Sequence, residues 1–137
     1  MKLPEYRKSK GRYKFYIANP KKSFKAGDCV FRAISTAMDI SWDEVYAGLC
    51  DMGYQMKDSP NCKPVYQKWL KLKGFPMRSQ PRHDNYTKYT MDEFAMVYNT
   101  GSYIINLRGH MSCVKDGIIY DTWNCSKLCV GNYWKVK

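Results

Sequence analysis

The chain has 137 residues and a formal net charge of +11, and 45% of its residues are hydrophobic and 15% aromatic. That length fits one domain with a sizeable core, and the aromatic content excludes an intrinsically disordered chain. No apolar run approaches the roughly 20 residues of a membrane-spanning helix, so we expect no membrane span. The basic N-terminus has no apolar segment of the kind found in secretory signals, so we expect a cytoplasmic protein with free thiols.

The positive charge is concentrated at the N-terminus. Residues 1–25 carry nine basic residues and one acidic residue, a balance of +8, whereas 26–137 carry 14 basic and 11 acidic residues, a balance of +3. We therefore predict a basic N-terminal arm (1–25) followed by a single domain (26–137). Aromatic residues interleave with the charges of the arm. This pattern fits either a solvated terminal segment or a surface that binds an acidic partner or nucleic acid.

The first part of the domain has the apolar spacing of helices. Asp28 is placed to cap the first of them, and Gly53 is placed to end the second. The sequences SWDE and TMDE are capping boxes that open the second and fourth helices. The predicted helices span 29–38, 41–53, 61–73 and 90–101, with a loop at 75–89.

After residue 101 the pattern changes to short strands, with an Asp-Gly hairpin signal at 116–117. Helices first and antiparallel strands last predict an α+β fold, in which N-terminal helices pack on a C-terminal antiparallel sheet. The predicted strands span 102–107, 110–115, 118–123 and 130–136.

The hairpin brings a histidine and an aspartate together. A two-residue turn pairs Lys115 with Ile118, which places Ser112 opposite Asp121. His110 and Asp121 then lie on one face of the sheet as diagonal neighbours, within side-chain reach. A carboxylate at this position accepts a hydrogen bond from one imidazole nitrogen and leaves the other nitrogen facing outward as a base.

The nucleophile that such a base would serve is Cys29, at the first turn of the first helix. A helix N-terminus lowers the pKa of a thiol, because the amide dipoles stabilise the thiolate. The main alternative nucleophile is Cys62, which lies at the start of the third helix beside Lys63.

These segments resemble the papain-like cysteine peptidase superfamily. Residues 27–33 (GDCVFRA) look like the nucleophile segment of its bacteriocin-peptidase-like branch, and the Asp-Cys pair is also similar to that of the cell-wall peptidase branch. Residues 109–110 (GH), 116–117 (DG) and 120–123 (YDTW) look like the histidine strand and the acid strand. Over residues 15–135 the chain resembles small proteins encoded by phages and prophages of Gram-positive bacteria.

The resemblance implies a papain-like fold and a thiol hydrolase: a peptidase, isopeptidase or related acyl transferase acting on a protein or peptide without cofactor or metal. Cys29 would be the nucleophile, His110 the general base and then acid, and Asp121 the group that orients the imidazole. Asn19 is the candidate side-chain donor to the oxyanion, beside the backbone amide of Cys29. Trp123, next to His110, is a candidate for the substrate cleft.

Other assignments stay open at the level of sequence. The same scaffold without turnover would be a binding module that acts on a host protein or, through the basic arm, on nucleic acid. Asn124 is an alternative to Asp121 as the orienting residue. A zinc site is a further alternative, because zinc sites use short spacings between paired cysteines. Its ligands would be Cys113, Cys125, Cys129 and His110.

Overall fold

The computed structural model describes residues 12–23 and 25–137, so that residues 1–11 of the predicted basic arm and Phe24 lie outside the described residues. The helices are α1 (Cys29–Met38), α2 (Trp42–Met56), α3 (Lys63–Leu72) and α4 (Met91–Val97). The strands are β1 (Tyr13–Phe15), β2 (Ser102–Leu107), β3 (His110–Lys115), β4 (Ile118–Asp121) and β5 (Val130–Lys135). No helix within the described ranges is long and apolar enough to cross a membrane.

The strands form one mixed sheet in the order β1–β4–β3–β2–β5. The four C-terminal strands are antiparallel, and β1 adds to the edge parallel to β4, with Tyr13 opposite Ile119. The predicted α+β class is confirmed. The sequence did not predict β1, which lies inside the segment taken as an arm, because three largely exposed residues show no apolar alternation.

Helices cover both faces of the sheet. One core cluster joins α1, α2 and α3 to Ile104 and Trp134 of the sheet. A second cluster joins Phe94 of α4 to Ile105 and Tyr133. Ile104 and Ile105 belong to different clusters because successive side chains of a strand point to opposite faces. The result is a central sheet buried on both sides, with α1 packed directly against β3.

The end of α2 differs from the prediction. Gly53 does not stop the helix, which continues to Met56 and ends at Lys57 in the left-handed conformation, with φ of 59°. Gly53 is buried, and a Cβ atom there would lie 2.7 Å from the carbonyl oxygen of Asp58. The glycine is therefore needed for the close approach of the following loop.

The predicted hairpin register is confirmed. Lys115 pairs with Ile118 and Cys113 with Tyr120. The two turn residues at 116–117 have φ of 48° and 79°, as a type I′ turn requires. β4 ends at Asp121, two residues earlier than predicted, and there the Thr122 amide donates to the Asp121 carboxylate at 2.7 Å.

Candidate active site

The three side chains predicted as a catalytic group meet where α1 reaches the β3–β4 hairpin. Cys29 is the first residue of α1, His110 the first of β3, and Asp121 the last of β4. His110 Nε2 lies 2.8 Å from Asp121 Oδ2, and the imidazole is also close enough to the Cys29 thiol to lower its pKa. Because the carboxylate occupies Nε2, Nδ1 is the nitrogen left for the thiol. The imidazole thus lies between sulfur and carboxylate.

The surroundings of Cys29 favour its thiolate. Burial raises the pKa of this half-buried thiol. Hydrogen bonds with His110 and the Met111 backbone, together with the charges of His110 and Arg32, outweigh burial and hold the pKa below its ordinary value. The N-terminus of α1 acts in the same direction.

The imidazole is correspondingly held in its charged form. Burial lowers the pKa of His110, but its hydrogen bonds with Asp121 and Cys29 reverse the effect and raise the pKa to about 9. Burial raises the pKa of Asp121, whose side chain is 2% exposed, but the hydrogen bond and charge of His110 bring it below the usual value. The arrangement therefore favours a thiolate–imidazolium pair backed by a carboxylate.

A buried arginine extends this group, and sequence reasoning missed it. Arg32 Nη2 lies 3.5 Å from Asp121 Oδ1, and Arg32 Nη1 lies 2.5 Å from Asp28 Oδ1. Arg32 is 8% exposed, so its charge is balanced in the interior by the two carboxylates. The spacing of four between Asp28 and Arg32 on a predicted helix was the available signal.

The role predicted for Asp28 is corrected by the same contacts. Asp28 occupies the N-cap position of α1, but its side chain makes no capping hydrogen bond. Its carboxylate instead accepts from the Arg32 guanidinium and, at 2.9 Å each, from Asn19 Nδ2 and Trp42 Nε1. Three side-chain donors thus outcompete the helix amides for this carboxylate.

A cleft of about 870 Å³ opens onto Cys29 and His110. Cys29 and His110 both line it, whereas Asp121 is buried and does not. Its other walls come from the start of α3, the 75–89 loop, the β2–β3 turn and the segment leading into β5. A bound molecule in this cleft would therefore meet the sulfur and the imidazole, with the carboxylate screened behind them.

The remaining predicted site residues lie in different places. Trp123 packs on His110, with ring centroids 4.8 Å apart, and is 44% exposed, but it does not line the large cleft. Asn19 is buried outside the lining of that cleft, where its amide donates to Asp28. Asn124 accepts from the Ser126 amide, and it is Asp121 that holds the imidazole.

The cysteines of the alternative zinc site are dispersed. Cys129 is exposed in the cleft, whereas Cys113 is buried with its sulfur directed at the Tyr120 carbonyl. In the part of the chain that the structure describes, the group with metal-binding spacing is His110, Asp121 and Cys125, whose ligand atoms lie within 4.8 Å of one another.

The side chains of that group already form hydrogen bonds with one another. Cys125 donates to Asp121 Oδ2 at 3.5 Å, and the same carboxylate oxygen contacts His110. Burial raises the pKa of the Cys125 thiol to about 12, which disfavours the thiolate that a metal needs. Cys62, the alternative nucleophile, occupies the N-cap position of α3 and does not line the cleft.

Comparison of the chain with protein-family models, with curated proteins and with solved structures finds no match.

Proposed function

We propose that this chain is a papain-like thiol hydrolase, a peptidase, isopeptidase or related acyl transferase, with Cys29 as nucleophile and His110 as general base and acid. Asp121 holds the imidazole in position. The observation that carries the proposal is that His110 interacts with both the Cys29 thiol and the Asp121 carboxylate, with Cys29 and His110 in the lining of a cleft. A nucleophile, a base and an orienting acid in contact are the parts that covalent acyl transfer needs.

The reaction follows from the charge states of the pair. The Cys29 thiolate attacks the carbonyl carbon of the substrate, forming a C–S bond and an oxyanion. As the oxyanion collapses, the C–N bond breaks and the His110 imidazolium gives its proton to the leaving amine. His110, now neutral, takes a proton from water, and the resulting hydroxide displaces the Cys29 sulfur to release a carboxylic acid.

The oxyanion needs hydrogen-bond donors fixed in place before the reaction. Cys29 is the first residue of α1, where backbone amides have no acceptor within the helix, so its own N–H is suited to this task. The Asn19 amide is committed to Asp28, which argues against Asn19 as the second donor.

The test compares two cysteines in one cleft. Cys129 is exposed there, whereas Cys29 is half-buried, so access alone would favour alkylation of Cys129. If Cys29 is an activated thiolate, iodoacetamide at pH 7 alkylates it at least ~10-fold faster than Cys129, as measured by peptide mass spectrometry. The His110→Ala variant, confirmed as folded by circular dichroism, is expected to lose this advantage.

Equal labelling of the two cysteines in the wild-type protein would contradict the proposal. The catalytically silent binding module would then be the better assignment. Activation of Cys29 that persists in His110→Ala would also count against the pair, because the helix N-terminus alone would then account for the reactivity.

A further inference from the structure

The cleft at Cys29 has an unbalanced charge. Three cationic side chains, Lys63, Lys88 and Arg108, line it together with the reactive pair. Within residues 12–23 and 25–137, no aspartate or glutamate contributes to the lining. The field at the cleft is therefore positive, although the domain as a whole is only mildly basic.

The three cations come from three separate elements. Lys63 begins α3, Lys88 belongs to the 75–89 loop, and Arg108 lies in the β2–β3 turn, two residues before His110. The Lys63 ammonium donates to Asn132 Oδ1 at 2.8 Å, a neutral partner that leaves its charge uncompensated. Neither Lys88 nor Arg108 forms an ion pair with any carboxylate of the described residues.

The rest of the lining suits a polypeptide better than a nucleic acid. Its polar side chains include the amides of Asn61, Asn106 and Asn132, groups that hydrogen-bond with a peptide backbone. The aromatic ring in the described lining is Tyr66, which is 6% exposed, and its hydroxyl donates to Asn106 at 3.2 Å. An exposed stacking platform of the kind that binds unpaired bases is thus missing from the described cleft.

We propose that the cleft selects acidic polypeptides, with aspartate or glutamate residues close to the bond that Cys29 attacks. This inference rests on the proposed function for the position of that bond, and it adds the substrate class. Carboxylates of the substrate would pair with Lys63, Lys88 and Arg108. Basic peptides would be repelled by the same three side chains.

The test measures binding separately from turnover. A fluorescein-labelled peptide of alternating Glu and Ala residues and its Gln–Ala counterpart are titrated with the full-length Cys29→Ala protein, and fluorescence anisotropy is recorded. We expect the acidic peptide to bind at least ~10-fold tighter at low ionic strength, with the advantage shrinking as salt is added. Equal affinities for the two peptides would overturn the inference.

Charge-reversal variants separate the cleft from the overall charge. Lys88→Glu/Arg108→Glu is expected to abolish the preference. Lys14→Glu/Lys68→Glu, which has the same net charge on exposed residues outside the cleft, is expected to keep it. If both double variants lose the preference for the acidic peptide equally, the preference comes from the net charge of the protein, and the proposal that the cleft selects acidic polypeptides is wrong. The milder Lys88→Gln/Arg108→Gln variant answers the same question if the reversal disturbs folding.

Two further outcomes distinguish the inference from the proposed function. If wild-type protein cleaves neutral or basic peptides as fast as acidic ones, the hydrolase stands and the acidic selectivity is wrong. If the acidic peptide binds with the expected preference but no peptide is cleaved, the selectivity stands and the hydrolase is wrong. Displacement of the acidic peptide by a much tighter-binding single-stranded DNA oligonucleotide would overturn the assignment to polypeptides.

Discussion

Arg32 and Asp39 each hold two partners of opposite charge, in very different surroundings. Arg32 lies between Asp28 and Asp121 in the interior, with a side chain that is 9% exposed. Asp39 lies between Lys115 and Lys137 on the surface, at 2.7 Å and 2.8 Å, with a side chain that is 50% exposed. Both clusters have one central charge between two opposite ones, but only the second is exposed to water. Their contributions to the free energy of unfolding are therefore expected to differ widely.

The largest effect is expected at the interior cluster. Arg32→Met removes the cation and leaves two buried carboxylates without it, which is expected to cost ~3–5 kcal/mol of unfolding free energy. Urea unfolding of the full chain measures this loss. Arg32→Lys keeps the positive charge but cannot contact two carboxylates with a planar fork. Its free energy of unfolding should therefore lie between those of the wild type and Arg32→Met. A loss below ~1 kcal/mol for Arg32→Met would mean that the buried cluster is no stronger than a surface pair.

An intermediate effect is expected at His110, where the interior cluster meets the cleft. NMR titration of its ring protons should give a midpoint at about 9, because the pKa is raised from its ordinary value of 6.5. The charged imidazole thus contributes to stability fully below pH 6.5, and this contribution is lost as the pH rises through about 9. General-acid activity should decline over the same upper range.

Replacing the carboxylate of Asp121 tests the cause of the raised His110 midpoint. Asp121→Asn keeps the shape of the side chain and removes its charge, so the His110 midpoint is expected to fall by at least ~1 pH unit, equivalent to ~1.4 kcal/mol. Asp39→Asn is the matched control, because it removes a carboxylate from the surface cluster instead. An unchanged midpoint in Asp121→Asn would show that the carboxylate does not hold the imidazolium.

The smallest effect is expected at the surface cluster. The pKa of Asp39 is lowered by its hydrogen bonds with Lys115 and Lys137. The stability that it contributes is therefore present above its ordinary pKa and is lost as the pH falls through the lowered one. Because all three groups contact water, Asp39→Asn should cost less than ~1 kcal/mol in urea unfolding, and high salt should reduce that cost further. A cost equal to that of Arg32→Met would contradict the comparison.

The sequence predicted those parts of the site that depend on local rules. The bounds of α1 follow from apolar spacing, and the position of Asp121 relative to His110 follows from a two-residue turn and the period of a strand. Both rules act within about a dozen residues. They were sufficient to bring the imidazole and the carboxylate together and to place Cys29 at a helix start.

The parts that the sequence did not predict depend on long-range contacts. Arg32 contacts Asp121 although the two are 89 positions apart in the sequence, and no local sequence pattern predicts that contact. The same holds for β1, which becomes a strand only by pairing with β4. Aspartate is a residue type typical of a helix N-cap, but contacts with Asn19 and Trp42, which both lie outside α1, direct the Asp28 side chain away from the helix amides.

The contacts around the His110 imidazole join two pieces of chain, and this has a consequence for folding. Cys29 and Arg32 lie on the first turn of α1, whereas His110 and Asp121 belong to one hairpin. Docking of the helix on the hairpin forms the thiol–imidazole contact and the guanidinium–carboxylate contact in the same step. A nascent or partly unfolded chain therefore carries an ordinary thiol, because the contacts that lower the pKa of Cys29 exist only when helix and hairpin are docked.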